Sequence, residues 1–512
     1  ATLTETRTAR TSRSSRCAAS RSRGAWRGNL TRIADRNGKV TTLAYDGLGR
    51  LTQITDPMNG VTRYAYDQRD NLLAVTDANG NTTRYTYDGN NRRTSETRPL
   101  GQTQTYTYDE AGNLTQYQDA KGNRLQYAYD AAGRRIEEKH LPAGSQTQTR
   151  TITYSYNPVG SLTGYTDQNT APNAVAHSAR YTLDALQRKT QETITIGGNT
   201  HTITTTWTAT GQKASQTSPG GLTAEYRYDA NQQLAGVSLP AGQLSIAERQ
   251  WNAPKKISFP GGSTQTRDYD ALLRPTRIKL NDPGQATKLD YAYTYDAESN
   301  ITKKATEHGS YDYAYDDLYR LTAANNPSGL PNEAWTYDKL GNRLTDNRRA
   351  GDWQYNGNNQ LTQSFTTSGD PVAHTYDDNG SLTRKQSQSA DPTDNQSYFY
   401  DAANRLVEVK DKDGNSIATY QYDPFGRRIA KTTTGNTTFF LYSDEGLIAE
   451  ATPTGAIATE YGWQPNNIWG TDPLYIKTTK TNGQSPEVFY YQNDHLGTPQ
   501  KAVDSQGSVV WE

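Results

Sequence analysis

Asp494 and His495 are the pair whose types and spacing most invite a chemical role. A carboxylate beside an imidazole suits acid–base work. Adjacent residues on a strand point to opposite faces, however, so a turn role is the simpler expectation. The six histidines, His140, His177, His201, His308, His374 and His495, fall at no metal-ligand spacing. The one cysteine, Cys17, excludes a Cys-based zinc site and an intramolecular disulfide framework. The stretch Asp77-Ala78-Asn79-Gly80-Asn81 places oxygen ligands at alternate positions, as calcium loops do. An EF-hand would need a Glu at position 86, which is Thr, so turn chemistry explains these residues better. Tyr and Trp beside Asp and Asn also suit sugar binding, yet they recur as packing between repeats requires. No triad, metal set or phosphate loop emerges, so the chain is expected to be non-enzymatic, with no catalytic, cofactor or metal residues.

The elements that carry these residues come from a repeat. Aromatic–Asp pairs stand at Tyr45-Asp46, Tyr66-Asp67, Tyr87-Asp88, Tyr108-Asp109 and Tyr129-Asp130, each 21 residues after the last. Looser units are expected at Tyr156-Asn157, Tyr181, Trp207, Tyr228-Asp229, Trp251-Asn252 and Tyr269-Asp270. The series resumes at Tyr295-Asp296, Tyr315-Asp316, Tyr337-Asp338, Tyr355-Asn356, Tyr376-Asp377, Tyr400-Asp401 and Tyr422-Asp423, with Tyr442-Ser443 as a last degenerate copy.

Before each Asp the aromatics alternate, as at Tyr64 and Tyr66 or Tyr106 and Tyr108. A period of two marks one face of a strand. Asp-x-x-Gly or Asp-x-x-Asn then follows. Asp can accept from the backbone amide two residues on, and Gly or Asn supplies the positive φ that closes a hairpin. A second alternating strand comes next, such as Arg50-Leu51-Thr52-Gln53-Ile54-Thr55, and a second turn returns the chain. One repeat is therefore two short strands and two turns. A lone hairpin is marginal in water, but stacked hairpins sharing an aromatic layer stabilise one another. Burying one Tyr gives a gross gain of about 4–6 kcal/mol before entropy is subtracted. The expected fold class is all-β: an antiparallel hairpin ribbon, wound into a hollow shell or an open part of one.

Composition agrees. Hydrophobic residues make up only 33% and the mean hydropathy is −0.93, but there are 36 Tyr and 8 Trp and the net charge is zero. Aromatic layers replace a thick aliphatic core, and the aromatics and balanced charge argue against disorder of the repeat region. Balanced charge argues against a nucleic-acid partner. No apolar run reaches the roughly 18 residues of a membrane span, and no signal peptide is visible.

The run from Tyr108 to Thr115, Tyr-Asp-x-x-Gly-Asn-Leu-Thr, resembles the tyrosine–aspartate (YD) repeat of the Rhs family. That family includes bacterial polymorphic toxins, wall-associated proteins, insecticidal toxin-complex components and teneurins. A more specific segment, Asp494-His495-Leu496-Gly497-Thr498-Pro499, is similar to the Asp-His-Leu-Gly-Thr-Pro run near the end of the bacterial Rhs core. The resemblance covers roughly residues 28–512. It implies repeats over 28–445 and a core-proximal segment over 446–512. It also implies a shell that encloses a C-terminal toxin domain for delivery in interbacterial competition, secreted or at the cell surface, with type VI secretion proteins as partners. The self-cleavage motif that ends such shells, and the toxin itself, are expected outside residues 28–512. The alternative is a surface protein whose aromatic faces bind carbohydrate.

Residues 1–27 are rich in Arg, Ser and Thr and lack the pattern. Gly28-Asn29-Leu30-Thr31 matches Gly112-Asn113-Leu114-Thr115, so a Tyr-Asp pair is missing at Gly24-Ala25. A mis-translated or disordered start is expected there.

Overall fold

The structure is a computed structural model that describes residues 18–21, 28–171, 174–349, 351–389, 391–479 and 486–511. Every named strand from Ala18–Arg21 to Arg343–Asp346 pairs antiparallel with the next one in sequence, and so does every strand from Gln354–Tyr355 to Val509–Trp511. The chain is thus a continuous hairpin ribbon. Trp353 N donates to Leu344 O at 2.7 Å and carries the ribbon across the short break between the two sheets.

The repeat explains the strands. In Val61–Tyr66, Thr62, Tyr64 and Tyr66 lie half-buried while Arg63 and Ala65 are exposed. Tyr64 stands opposite Val75 and Ala65 opposite Ala74. The aromatic face therefore continues across strands. The other face holds Thr, Arg, Gln and Ala, tied by hydroxyl pairs such as Thr76–Thr82 at 2.9 Å and Thr97–Thr103 at 2.8 Å. Such cross-strand pairs suit a solvent-facing sheet surface.

The ribbon coils back on itself. Return turns of the early repeats sit on Tyr-Asp turns much later in the chain. Asn37 Nδ2 donates to Asp296 Oδ2 at 2.9 Å, Asn79 Nδ2 to Asp338 Oδ2 at 2.8 Å, and Asn358 Nδ2 to Gln102 Oε1 at 2.8 Å. These partners are 259, 259 and 256 residues apart. The separation then shrinks to 232 at Lys213–Glu445, 228 at Gln265–Asn493 and 209 at Tyr291–Gln500. These contacts lay the late strands against the earlier ones as a second layer.

Packing agrees. Ile152, Tyr154, Tyr165 and Ile203 bury their aromatic face against Ile429, Phe439, Leu441 and Ile448. Leu222, Tyr226, Leu280 and Tyr293 do so against Tyr475, Val488, Tyr490 and Val503. The late strands lie on the aromatic face of the earlier ones. Where no late strand covers it, as at Tyr64, Tyr85 and Tyr106, the same face is only half-buried.

Ala18–Arg21, within the stretch expected to be disordered, forms a strand paired with Leu30–Ala34; residues 1–17 and 22–27 lie outside the described residues. Strand pairing runs on through 445, with Leu447–Ala451 paired on both sides.

Candidate functional site

The repeat's chemistry is a ladder of hydrogen bonds. The aromatic before each Asp turns its hydroxyl onto a backbone carbonyl of the preceding hairpin. Tyr45 donates to Leu30 O, Tyr66 to Leu51 O, Tyr87 to Leu72 O, Tyr108 to Arg93 O and Tyr129 to Leu114 O, all at 2.8–2.9 Å and 15 residues apart. Tyr337 and Tyr422 make the same bond, to Leu321 O at 2.6 Å and Leu406 O at 2.7 Å. Burial raises the pKa of the Tyr66 and Tyr108 phenols, so they stay protonated donors.

The Asp organises the turn. Asp46 Oδ1 accepts from the amides of Leu48 and Arg50, and Oδ2 from Arg50 Nε at 2.7 Å. These bonds, the Arg50 amide first, hold its carboxyl below the usual range. Asp109 is lowered too, chiefly by the Asn113 side chain. Asp67, Asp88, Asp130, Asp338 and Asp423 also accept from the amide four residues on. The third residue after Asp takes positive φ, whether Gly49 at 81° or Asp70 at 67°. The Arg or Asn after it reaches forward: Arg50 Nη1 donates to Asp67 O at 2.6 Å, and its guanidinium lies 4.9 Å from the centre of the Tyr66 ring. The ladder hydroxyls and the turn carboxylates of these units are thus engaged within the protein. Asp77 likewise accepts from the amides of Asn79 and Asn81. Among the described residues no group of three His, Cys, Asp or Glu could hold a metal.

The segment Asp494–Pro499 is another rung of this ladder. Asp494 is buried; its Oδ1 accepts from the amides of Leu496 and Thr498, and its Oδ2 from Gln500 Nε2 at 3.2 Å. Gly497 has φ of 75°, and a Cβ there would lie 2.3 Å from Asp472 Oδ1. His495 packs its ring 4.7 Å from Tyr293, and burial lowers its pKa. Leu496 is exposed, and Pro499 opens the strand Pro499–Val503. The carboxylate is committed to the turn rather than to the imidazole, so the two do not form a dyad.

Register corrects three sequence expectations. The unit assigned to Tyr181 is built on Leu183-Asp184, since Asp184 accepts from the Leu186 and Arg188 amides. Trp251 sits at a turn tip with φ of 59° and is 86% exposed, and Arg249 takes the ladder position, donating to Leu234 O. Tyr442 is not the last copy. Trp463 Nε1 donates to Leu447 O at 2.7 Å, and Asn493 Nδ2 to Pro473 O at 2.9 Å. Sequence reading missed these because it sought Tyr-Asp pairs; the hairpin lengths around Asp184 and Asp494 carried the register.

A model of the Teneurin YD-shell matches residues 241–512, just over half the chain. The chain belongs to the Teneurin YD-shell family. RHS Repeat models match successive windows between residues 27 and 146. Among curated relatives, the double-stranded DNA deaminase toxin A of Burkholderia cenocepacia is 27% identical over 278 residues, 49% of this chain and 19% of that protein. The probable deoxyribonuclease RhsA of Dickeya dadantii is 26% identical over 315 residues, 57% of this chain and 20% of that protein. The YD-shell chain thus spans about a fifth of the length of these relatives. Its fold matches a chain of the Photorhabdus luminescens Tc holotoxin pore, with a TM-score of 0.55 at 15% identity over 92% of this chain and 30% of that one. The TcdB2-TccC3 structure gives a TM-score of 0.55 at 16% identity, over 92% and 30%.

Proposed function

We propose that this YD-shell chain is a non-enzymatic wall segment of a polymorphic toxin, and that its concave face encloses a toxin domain carried by the same, longer protein. The observation that supports this most is the coil. Its late strands cover only part of the aromatic face and leave the rings of the early repeats half-buried. Such a face can hold a folded or unfolded chain by dispersed aromatic contact without a specific site. Release in interbacterial competition, outside the cell or at its surface and through a type VI apparatus, extends the reading from the bacterial toxin relatives. Limited proteolysis of the full-length protein tests it. The toxin domain is expected to resist trypsin until the shell is unfolded. Digestion at the rate of the isolated domain would overturn enclosure.

A further inference from the structure

The two edges of the double-layered part of the ribbon differ. On one edge the return turns of the two layers close on each other. Asn199 Nδ2 donates to Pro453 O at 2.9 Å, the Gly220 amide donates to Glu460 Oε1 at 3.0 Å, and Gly261 lies so near the Gln506 backbone that no side chain fits between them. On the other edge, that of the Tyr-Asp turns, the tips project. Val159, Leu186 and Trp251 stand exposed on the earlier strands, and Phe425, Ile468 and Leu496 on the late ones. Uncharged Thr210 and Asn231 tip the turns between Leu186 and Trp251. Trp469, also exposed, stacks on Tyr442 with 6.0 Å between ring centres. Contacts across the layers set the two rows side by side. Lys189, just past the Leu186 turn, pairs with Asp444 at 2.6 Å, and Asn252, next to Trp251, lines one cavity with Gln464 and Asp472 from the loop that carries Ile468.

This edge hides its charge and its backbone polarity. Asp184, Asp423 and Asp494 turn their carboxylates inward, each onto the amides two and four residues on. The amide between those two donates to the carbonyl of the same Asp, from Gln187, Gly426 and Gly497. The Arg188 and Arg427 guanidinium groups are paired with Asp184 and Asp423. In the single-layered early repeats, by contrast, the matching tips carry exposed Arg69, Asp70 and Glu110. A tip that enters a lipid bilayer must satisfy its own backbone and bring no unpaired charge, and Trp is favoured at the boundary between headgroups and acyl chains. A protein partner could supply acceptors to open amides and counter-charges to ionised tips, so it would not call for both features together.

We propose that this edge of turns docks on the surface of a lipid bilayer, with its apolar tips in the headgroup–acyl boundary. The contact is apolar rather than electrostatic, so it needs no anionic lipid.

The test is flotation of the full-length protein with vesicles of phosphatidylcholine and phosphatidylethanolamine, with and without phosphatidylglycerol, at low and high salt. Binding to the neutral vesicles that survives high salt is expected. Trp251→Ser and Leu496→Ser, both at exposed tips, are each expected to weaken it by about tenfold with an unchanged Tm, while Leu330→Ser, exposed on a loop outside this edge, leaves it as it was. Acyl chains brominated near the headgroup are expected to quench the tryptophan fluorescence, and less so in Trp251→Phe. No flotation with neutral vesicles, binding that requires phosphatidylglycerol and is lost at high salt, or equal binding by the Trp251 and Leu496 variants would each overturn the proposal. Concentration-dependent self-association that the same two substitutions abolish, without vesicle binding, would overturn it too and assign the edge to a second copy of the chain.

Discussion

At the scale of single residues, the tyrosine hydroxyl does more than tolerate a wet surface. It closes a bond between successive hairpins that the backbone ladder cannot make. Leu51 O accepts from Tyr66 at 2.9 Å, and the same ring carries the Arg50 guanidinium on its face. Phenylalanine would keep the ring and lose the bond. Tyr66→Phe is expected to lower stability by about 1 kcal/mol, the net worth of one such hydrogen bond, seen as a lower urea midpoint with an unchanged slope. An unchanged midpoint would mean that the ring alone matters. The pairing of Tyr with Asp was legible in the sequence because both partners act locally. Arg249 and Asn493 were not, because their equivalence to Tyr rests on a carbonyl one hairpin away.

At the scale of elements, what distinguishes His177–Leu183 from Val61–Tyr66 is what covers it. Both present alternate residues to the aromatic face, but only the first is covered by the late strands. His177 is 5% exposed beside Tyr165, with 3.2 Å between Nδ1 and the hydroxyl. Burial, aided by Arg427 and Arg150, depresses its pKa from 6.5 to about 3. Asp423 and Glu192 share this interlayer space. The unfolded chain therefore takes up a proton below pH 6.5 that the folded chain refuses. This group's contribution is full above pH 6.5 and is lost as the pH falls, by up to about 1.4 kcal/mol per unit until near pH 3. Denaturant midpoints measured from pH 7 to 4.5 are expected to fall more steeply for the wild type than for His177→Gln. Parallel profiles would refute the assignment.

For the whole molecule, polar contacts fasten one turn of the coil to the next. Among the described residues the most buried ion pair between them is Lys213–Glu445, with Nζ 2.7 and 2.6 Å from the two carboxylate oxygens and side chains 4% and 9% exposed. Removing one partner strands the other in a place water barely reaches. Glu445→Ala is expected to cost about 3–5 kcal/mol and to open the layers to protease between residues 213 and 445, whereas Lys213→Met with Glu445→Leu restores resistance. Equal loss in the single and double variants would show that the pair is not what joins the layers. The same coil leaves ribbon edges that only further chain or charge can protect, a general concern for long sheets.

The sequence by itself determined the unit: the alternating rings, the Asp turn, the positive-φ residue after it and the antiparallel order of neighbours. Each of these is decided within about twenty residues by sterics and local hydrogen bonds. Only the tertiary structure decided how the units coil, that Asp494–Pro499 is one more turn of the ladder, and that the last strands pack on the aromatic face of the earlier ones. Those outcomes depend on contacts more than 200 residues apart, such as Asn37–Asp296 and Tyr291–Gln500. Small differences in strand length and twist, summed over many hairpins, set where such partners meet, and no local pattern records that sum.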